Sequence, residues 1–271
     1  MMDFGIYEKA LPQSRDIEKI FQTAAEAGYR RFEMALDKDR LERFRWSKKE
    51  KAEWLRASLN SGVQIYNLVL SAHREFPFGS HEADVRKKAY EIMEEAVEFA
   101  AEMGIRTIQV AGYYALDSEE VTEDSEKRFI EAMHHAAGLA GRAGMMLGIE
   151  NMDRDIISLD QMKKIVEEVN SPWLKMYPDV GNLSAHHFNV KQSLAENIHH
   201  IVGIHLKDTK EGVYRRVPFG EGIVDFKLVF STLFNSGYRG YFGVEMWNDN
   251  SENSVEIIKE ARKWLLQQTP Q

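Results

Sequence analysis

The chain contains no cysteine. Disulfide frameworks, thiolate zinc sites and cysteine nucleophiles are therefore excluded. Positive charge is also short: 35 lysines and arginines stand against 43 aspartates and glutamates, a formal net charge of −8. That balance offers no basic field to a phosphate backbone, so general nucleic-acid binding is disfavoured. No apolar run approaches the roughly 20 residues needed to cross a bilayer, which argues against a membrane role. The opening residues show no basic stretch followed by a long apolar one, so they do not read as a secretory signal. The expectation is a soluble protein of the cytoplasm. Linkers are missing too, since no Pro/Gly/Ser-rich or low-complexity tract divides the 271 residues. Residues 1–271 therefore read as a single domain, with Gln267–Gln271 as a fraying end. The apolar share of 44% is ordinary for a globular chain of a size that buries a full core without staples.

What is present is an alternation of short apolar runs with longer segments of helical period. The runs are Phe4–Tyr7, Arg31–Ala35, Val63–Leu70, Thr107–Ala111, Met146–Glu150, Leu174–Asp179, Val202–Leu206 and Tyr241–Met246. Most lack strict polar/apolar alternation, which suits parallel strands buried on both faces. Between them, Ile17, Ile20, Phe21, Ala24 and Ala25 form one helical stripe. Longer or similar stripes run from Val85 to Ala100, from Leu159 to Val169, and from Val255 to Leu265. Gly28, Gly62, Gly104, Gly144 and Gly237 each stand just before the next strand, where a helix-ending residue in left-handed conformation is needed. Eight strand–helix units in one chain predict an α/β fold, a (β/α)8 TIM barrel. An open doubly wound sheet is the runner-up, but no glycine-rich loop follows Tyr7.

Barrel enzymes carry their chemistry at the C-terminal ends of the strands. Four consecutive strands deliver Glu150, Asp179, His205 and Glu245 to one side of that mouth. Three unpaired carboxylates there would repel one another, and a divalent cation relieves this. With one imidazole they form a hard-to-borderline donor set for Zn²⁺, Mn²⁺, Mg²⁺ or Co²⁺. Any one of them alone reads better as a cap, half an ion pair or a core histidine. The set is harder to dismiss, because each follows an apolar strand that would otherwise bury it at a cost of several kcal/mol.

Weaker signals surround this set. His73 and Arg74 follow strand 3 and offer contacts to a polar or anionic substrate, or else form a solvated loop. Lys207 lies two residues after His205 and so points the same way along the strand. A phosphate between it and the metal would relieve their repulsion; the alternative is a salt bridge to Asp208 or a neighbouring carboxylate. The loop Gly220-Glu221-Gly222 follows strand 7, where barrels build phosphate sites from backbone N–H groups, but a bare G-x-G is a weak signal and an ordinary turn is the better single reading. The pairs His134-His135, His186-His187 and His199-His200 read as structural or solvated.

Several long, ordered motifs are familiar. They are Gly5-Ile6-Tyr7-Glu8-Lys9-Ala10-Leu11-Pro12, Leu70-Ser71-Ala72-His73-Arg74, Tyr177–Ala185, His205–Lys210, Val217–Gly222 and Val244-Glu245-Met246-Trp247. On these, the sequence resembles the L-ribulose-5-phosphate 3-epimerases, also called L-xylulose-5-phosphate 3-epimerases, among the xylose-isomerase-like barrels. The resemblance implies one divalent metal on Glu150, Asp179, His205 and Glu245, with Glu150 and Glu245 as the acid–base pair. It also implies a sugar-phosphate substrate, a homodimer and a place in pentose or ascorbate breakdown. One departure stands out: the related ketose 3-epimerases carry a histidine three residues after the metal-binding aspartate, where this chain has Asn182. An aldose–ketose isomerase would use the same donor set. An abasic-site nuclease on this barrel would need more histidine ligands and a positive groove.

Overall fold

Strand and helix form where the hydrophobic periods place them, as a computed structural model describing residues 3–270 shows. Seven strands open the chain: β1 (Phe4–Tyr7), β2 (Arg31–Ala35), β3 (Gln64–Leu70), β4 (Thr107–Ala111), β5 (Met146–Glu150), β6 (Leu174–Met176) and β7 (Gly203–Leu206). A hairpin of β8 (Asp208–Lys210) and β9 (Val213–Val217) follows, and then β10 (Tyr241–Val244). Every pairing in the large sheet is parallel, in the order β6-β5-β4-β3-β2-β1-β10-β7. Single bridges, Met176 to Ile201 and Asp179 to His205, join β6 to β7 and close the ring. This is the expected (β/α)8 barrel, in one domain.

The helices form the outer layer: α1 (Ile17–Glu26), α2 (Lys48–Ser61), α3 (Ala83–Glu102), α4 (Glu123–Ala143) and α5 (Leu159–Val169), then α6 (Val180–Ala185), α7 (Val190–Asn197), α8 (Phe226–Asn235) and α9 (Ser254–Gln268). Their apolar stripes face the sheet, with Ile20, Phe21 and Ala24 buried on α1 and Met162, Ile165 and Val166 on α5. Starts are set by side-chain caps, as where Ser47 and Glu50 close a capping box on α2. The five glycines foreseen as stops all have positive φ. At Gly62 and Gly144 that conformation lets the backbone N–H turn back onto the last helical carbonyls. Within the end expected to fray, Gln267 and Gln268 belong to α9, and the Thr269 hydroxyl donates to the Leu266 carbonyl. Gln271 lies outside the described residues.

Two differences from the sequence reading bear on the site. Strand β6 stops at Met176 because Pro178 has no N–H to continue the ladder. Asp179 consequently becomes the N-cap of α6, its side chain accepting from Asn182 N. The hairpin β8–β9 was not anticipated. It is antiparallel and short, and its β9 strand is exposed or half-buried throughout, so that strand carries no buried periodic face that a sequence could display. Among the described residues no helix is long and apolar enough to cross a membrane.

Candidate active site

Each of the four converging residues is placed by a strand end. Glu150 is the last residue of β5 and His205 lies within β7. Asp179 sits at the β6–α6 corner, and Glu245 directly follows β10, its N–H continuing the ladder to the Leu206 carbonyl. Their donor atoms all lie within 4.8 Å of one another. Glu150, Asp179 and His205 are buried, and the Glu245 side chain keeps 11% exposure toward the mouth.

Their partners hold these groups in fixed orientations. Gln109 Nε2 donates to Glu150 Oε2 at 2.6 Å, while Glu150 Oε1 contacts His205 Nδ1. Asn151 fixes the Asp179 backbone in both directions, at 2.8 and 3.1 Å, and Asn182 Nδ2 in turn donates to Asn151 O. Lys207 Nζ stands 2.9 Å from both Asp179 Oδ2 and Glu245 Oε2. Neither of those oxygens has a hydrogen bond of good geometry, so two buried acceptors face the cluster with only a point charge beside them. Burial pushes the Asp179 carboxyl up to about 7 and the Glu150 carboxyl in the same direction. Glu245 moves the other way, to about 2: burial opposes its ionisation, but Lys207 and His205 outweigh that.

This arrangement fits a hard or borderline divalent cation. Three carboxylates and an imidazole nitrogen surround one point, and the single Lys207 ammonium beside two of those carboxylates leaves their negative charge only partly balanced, which a divalent cation would complete. The far nitrogen of the imidazole, His205 Nε2, lies 3.2 Å from Glu33 Oε2. Such a carboxylate behind a ligating histidine is a usual feature of metal centres.

The description "xylose isomerase-like TIM barrel" matches residues 21–268. The chain belongs to the xylose isomerase-like TIM barrel family. It is 40% identical over 264 residues to an L-ribulose-5-phosphate 3-epimerase of Escherichia coli strain K12, spanning 96% of this chain and 93% of that one. It is 42% identical to a putative L-ribulose-5-phosphate 3-epimerase of Haemophilus influenzae, over 97% of this chain and 95% of the other. Among solved structures, a D-psicose 3-epimerase of Clostridium cellulolyticum superposes with a TM-score of 0.84 at 15% identity, covering 98% and 99% of the two chains. An L-ribulose 3-epimerase superposes with a TM-score of 0.81 at 17% identity, covering 99% and 94%. This family member is a sugar epimerase, an enzyme of the isomerase class.

The remaining candidate residues of this barrel epimerase divide into two groups. Arg74 is at the mouth, its side chain a quarter exposed, donating to Tyr113 OH at 3.1 Å and to Asp153 at 3.4 Å. Lys207 is also there, but as the salt-bridge alternative had it, against neighbouring carboxylates. His73 is elsewhere. It is fully buried, with Nε2 on the Ala89 carbonyl of α3 and its ring 4.3 Å from Phe78, so it packs under the helix layer and does not face the cluster. The Gly220 and Gly222 N–H groups both donate to Asp208 Oδ2, at 2.9 and 3.0 Å. An internal carboxylate thus fills the place foreseen for a phosphate. Glu221 is exposed, near Lys210. The paired histidines stay outside the cluster, with His135 facing Glu94 and His186 facing the Met152 carbonyl.

Glu33 and Gln109 were not foreseen from the sequence. The signal was present in Phe32-Glu33-Met34, a single acid between two buried apolar residues on a strand covered on both faces.

Proposed function

We propose that this protein is a metal-dependent 3-epimerase that interconverts L-ribulose 5-phosphate and L-xylulose 5-phosphate. The reading rests on one observation: two glutamates, from β5 and β10, meet an aspartate and a histidine within 4.8 Å at the mouth of a barrel. The relatives at 40% and 42% identity, named for this reaction, support it. Glu150, Asp179, His205 and Glu245 would hold one divalent cation, with Zn²⁺, Mn²⁺, Mg²⁺ and Co²⁺ all suited to the donor set. Such a cation supplies Lewis-acid stabilisation to charge developing on the oxygens of a ketose.

Epimerisation at C3 requires removal of a proton next to the C2 carbonyl and its return on the opposite face. Glu150 and Glu245 reach the site from different strands, so one can take the proton as the other delivers one. Their roles exchange when the reaction runs backwards. The strand-end polar groups orient the two carboxylates, Gln109 for Glu150 and Lys207 for Glu245. Arg74 keeps an accessible guanidinium for an anionic substrate end, and Lys207 adds positive charge at the mouth; the amides of Gly220 and Gly222 are already bonded to Asp208. The same reading carries a homodimer, a cytoplasmic location and a step in pentose or ascorbate breakdown.

The test is proton NMR in D₂O with L-ribulose 5-phosphate and Zn²⁺ or Mg²⁺. Deuterium entering at C3 as L-xylulose 5-phosphate accumulates is the expected outcome. Label at C1 with an aldose product would make the protein an aldose–ketose isomerase, and no exchange with any cation would remove the substrate assignment. Glu150→Gln and Glu245→Gln should each lower turnover at least roughly a hundredfold. Metal content is measured in the same samples, because a lost ligand also weakens binding.

A further inference from the structure

Glu33 presents a physical problem that the reaction itself does not explain. It lies in the middle of β2, fully buried, with no lysine or arginine in contact among the described residues. An ionised carboxylate in that position is costly unless its oxygens are satisfied. Three donors satisfy them. Tyr177 OH and Asn67 Nδ2 approach Oε1 at 2.7 and 3.0 Å, and His205 Nε2 approaches Oε2 at 3.2 Å. The carboxylate therefore links β2, β3 and the β6 end to β7 across the barrel interior.

The surrounding strands are built to admit this network. Gly243 on β10 is the register partner of His205, and a Cβ there would lie 2.4 Å from Glu33 Oε2. The Tyr177 ring, 4.8 Å from the His205 ring, lies against two more glycines. A Cβ on Gly203 would come within 2.3 Å of that ring, and one on Gly148 within 2.9 Å of its Cβ. Three strands thus omit side chains where Glu33 and Tyr177 reach toward one imidazole.

We propose that Glu33 is a positioning residue: it accepts the Nε2–H of His205, and so orients the ring with its Nδ1 lone pair toward Glu150, Asp179 and Glu245. This rests on the reading of those four residues as cation ligands. Glu33 touches neither substrate nor cation. Its carboxylate selects the tautomer and fixes the ring plane, and Tyr177 and Asn67 fix the carboxylate.

Two variants test this differently. In Glu33→Gln the amide offers a single acceptor oxygen to donors arriving from two sides, so at least one donor must face its NH₂ group. In Gly243→Ala the charge at Glu33 is kept but the carboxylate is pushed off His205 Nε2. Zinc affinity is measured by competition with a chelating dye, and the His205 ring by ¹⁵N–¹H correlation spectra of the zinc-loaded proteins. Both variants should bind zinc roughly 10- to 100-fold more weakly. The wild-type His205 should show one zinc-bound Nδ1 with a protonated Nε2, and the variants an exchanging or altered ring. Unchanged affinity and an unchanged His205 signal in the variants, even with a lowered unfolding temperature, would overturn the positioning role and leave the ligand set standing. A wild-type protein that holds no zinc stoichiometrically would instead overturn the ligand reading, and this inference with it.

Discussion

His73 shows how a residue that looks reactive in sequence can be a structural group with a measurable consequence. Its ring is enclosed between α3 and Phe78, and burial pushes its pKa down to about 4, partly countered by the bond to the Ala89 carbonyl. In the unfolded chain it titrates near 6.5. Between these values the unfolded state binds the extra proton, so stability falls as pH drops from about 6.5 toward 4. The full shift corresponds to something on the order of 3 kcal/mol. A His73→Phe variant should therefore lose less stability than the wild type over that window. Urea unfolding at pH 7, 6, 5 and 4 measures the difference. Parallel curves for the two proteins would show that His73 is not the group responsible.

Among elements, the connection from β7 to α8 departs furthest from its sequence reading, and Asp208 explains why. Its carboxylate accepts from the N–H groups of Thr209, Gly220, Gly222 and Val224, tying the far side of the hairpin back to the end of β7. Gly222 passes so close that a Cβ there would lie 1.9 Å from Asp208 Oδ1. Asp208→Asn leaves one acceptor oxygen for those donors, at an expected cost of about 1–3 kcal/mol. Faster amide exchange at Gly220 and Gly222 is the corresponding local signature, and unchanged protection there would refute the clamp. The eight barrel strands were legible because parallel strands covered on both faces read as unbroken apolar runs. The four cluster residues were legible because each is the polar group that ends or interrupts such a run. The hairpin was not, since β9 is exposed or half-buried and has no buried face to mark it. Glu33 was overlooked because it sits inside a strand, where no rule about strand ends applies. At the glycine loop, sequence shows which amides are available but not that a carboxylate twelve residues earlier folds onto them.

For the whole molecule, the question is where a closed barrel is weakest. Seven of its eight strand junctions are parallel ladders, that of β2 and β3 with a register shift between Phe32 and Glu33, whereas β6 and β7 meet only through isolated bridges. Pro178 breaks the ladder there, and the seam holds through Val202 N to Met176 O at 2.9 Å and His205 N to Pro178 O at 2.8 Å. Two of the proposed cation ligands, Asp179 and His205, flank this seam and form one of its bridges. A bound cation would then tie the barrel shut at its least continuous junction. Saturating the protein at about 100 times the dissociation constant adds about 2.7 kcal/mol of stability, which for a chain of this size raises the unfolding temperature by roughly 5 °C. The seam predicts more than this global shift. On removal of the cation with EDTA, the amides of Val202 and His205 should lose exchange protection by a larger factor than those of Leu68 and Ile108 in the β2–β3–β4 ladders. Hydrogen exchange with and without Zn²⁺ makes the comparison within one molecule. Equal loss at both places would mean that the cation stabilises the barrel only as a whole and does not act as a staple across β6 and β7.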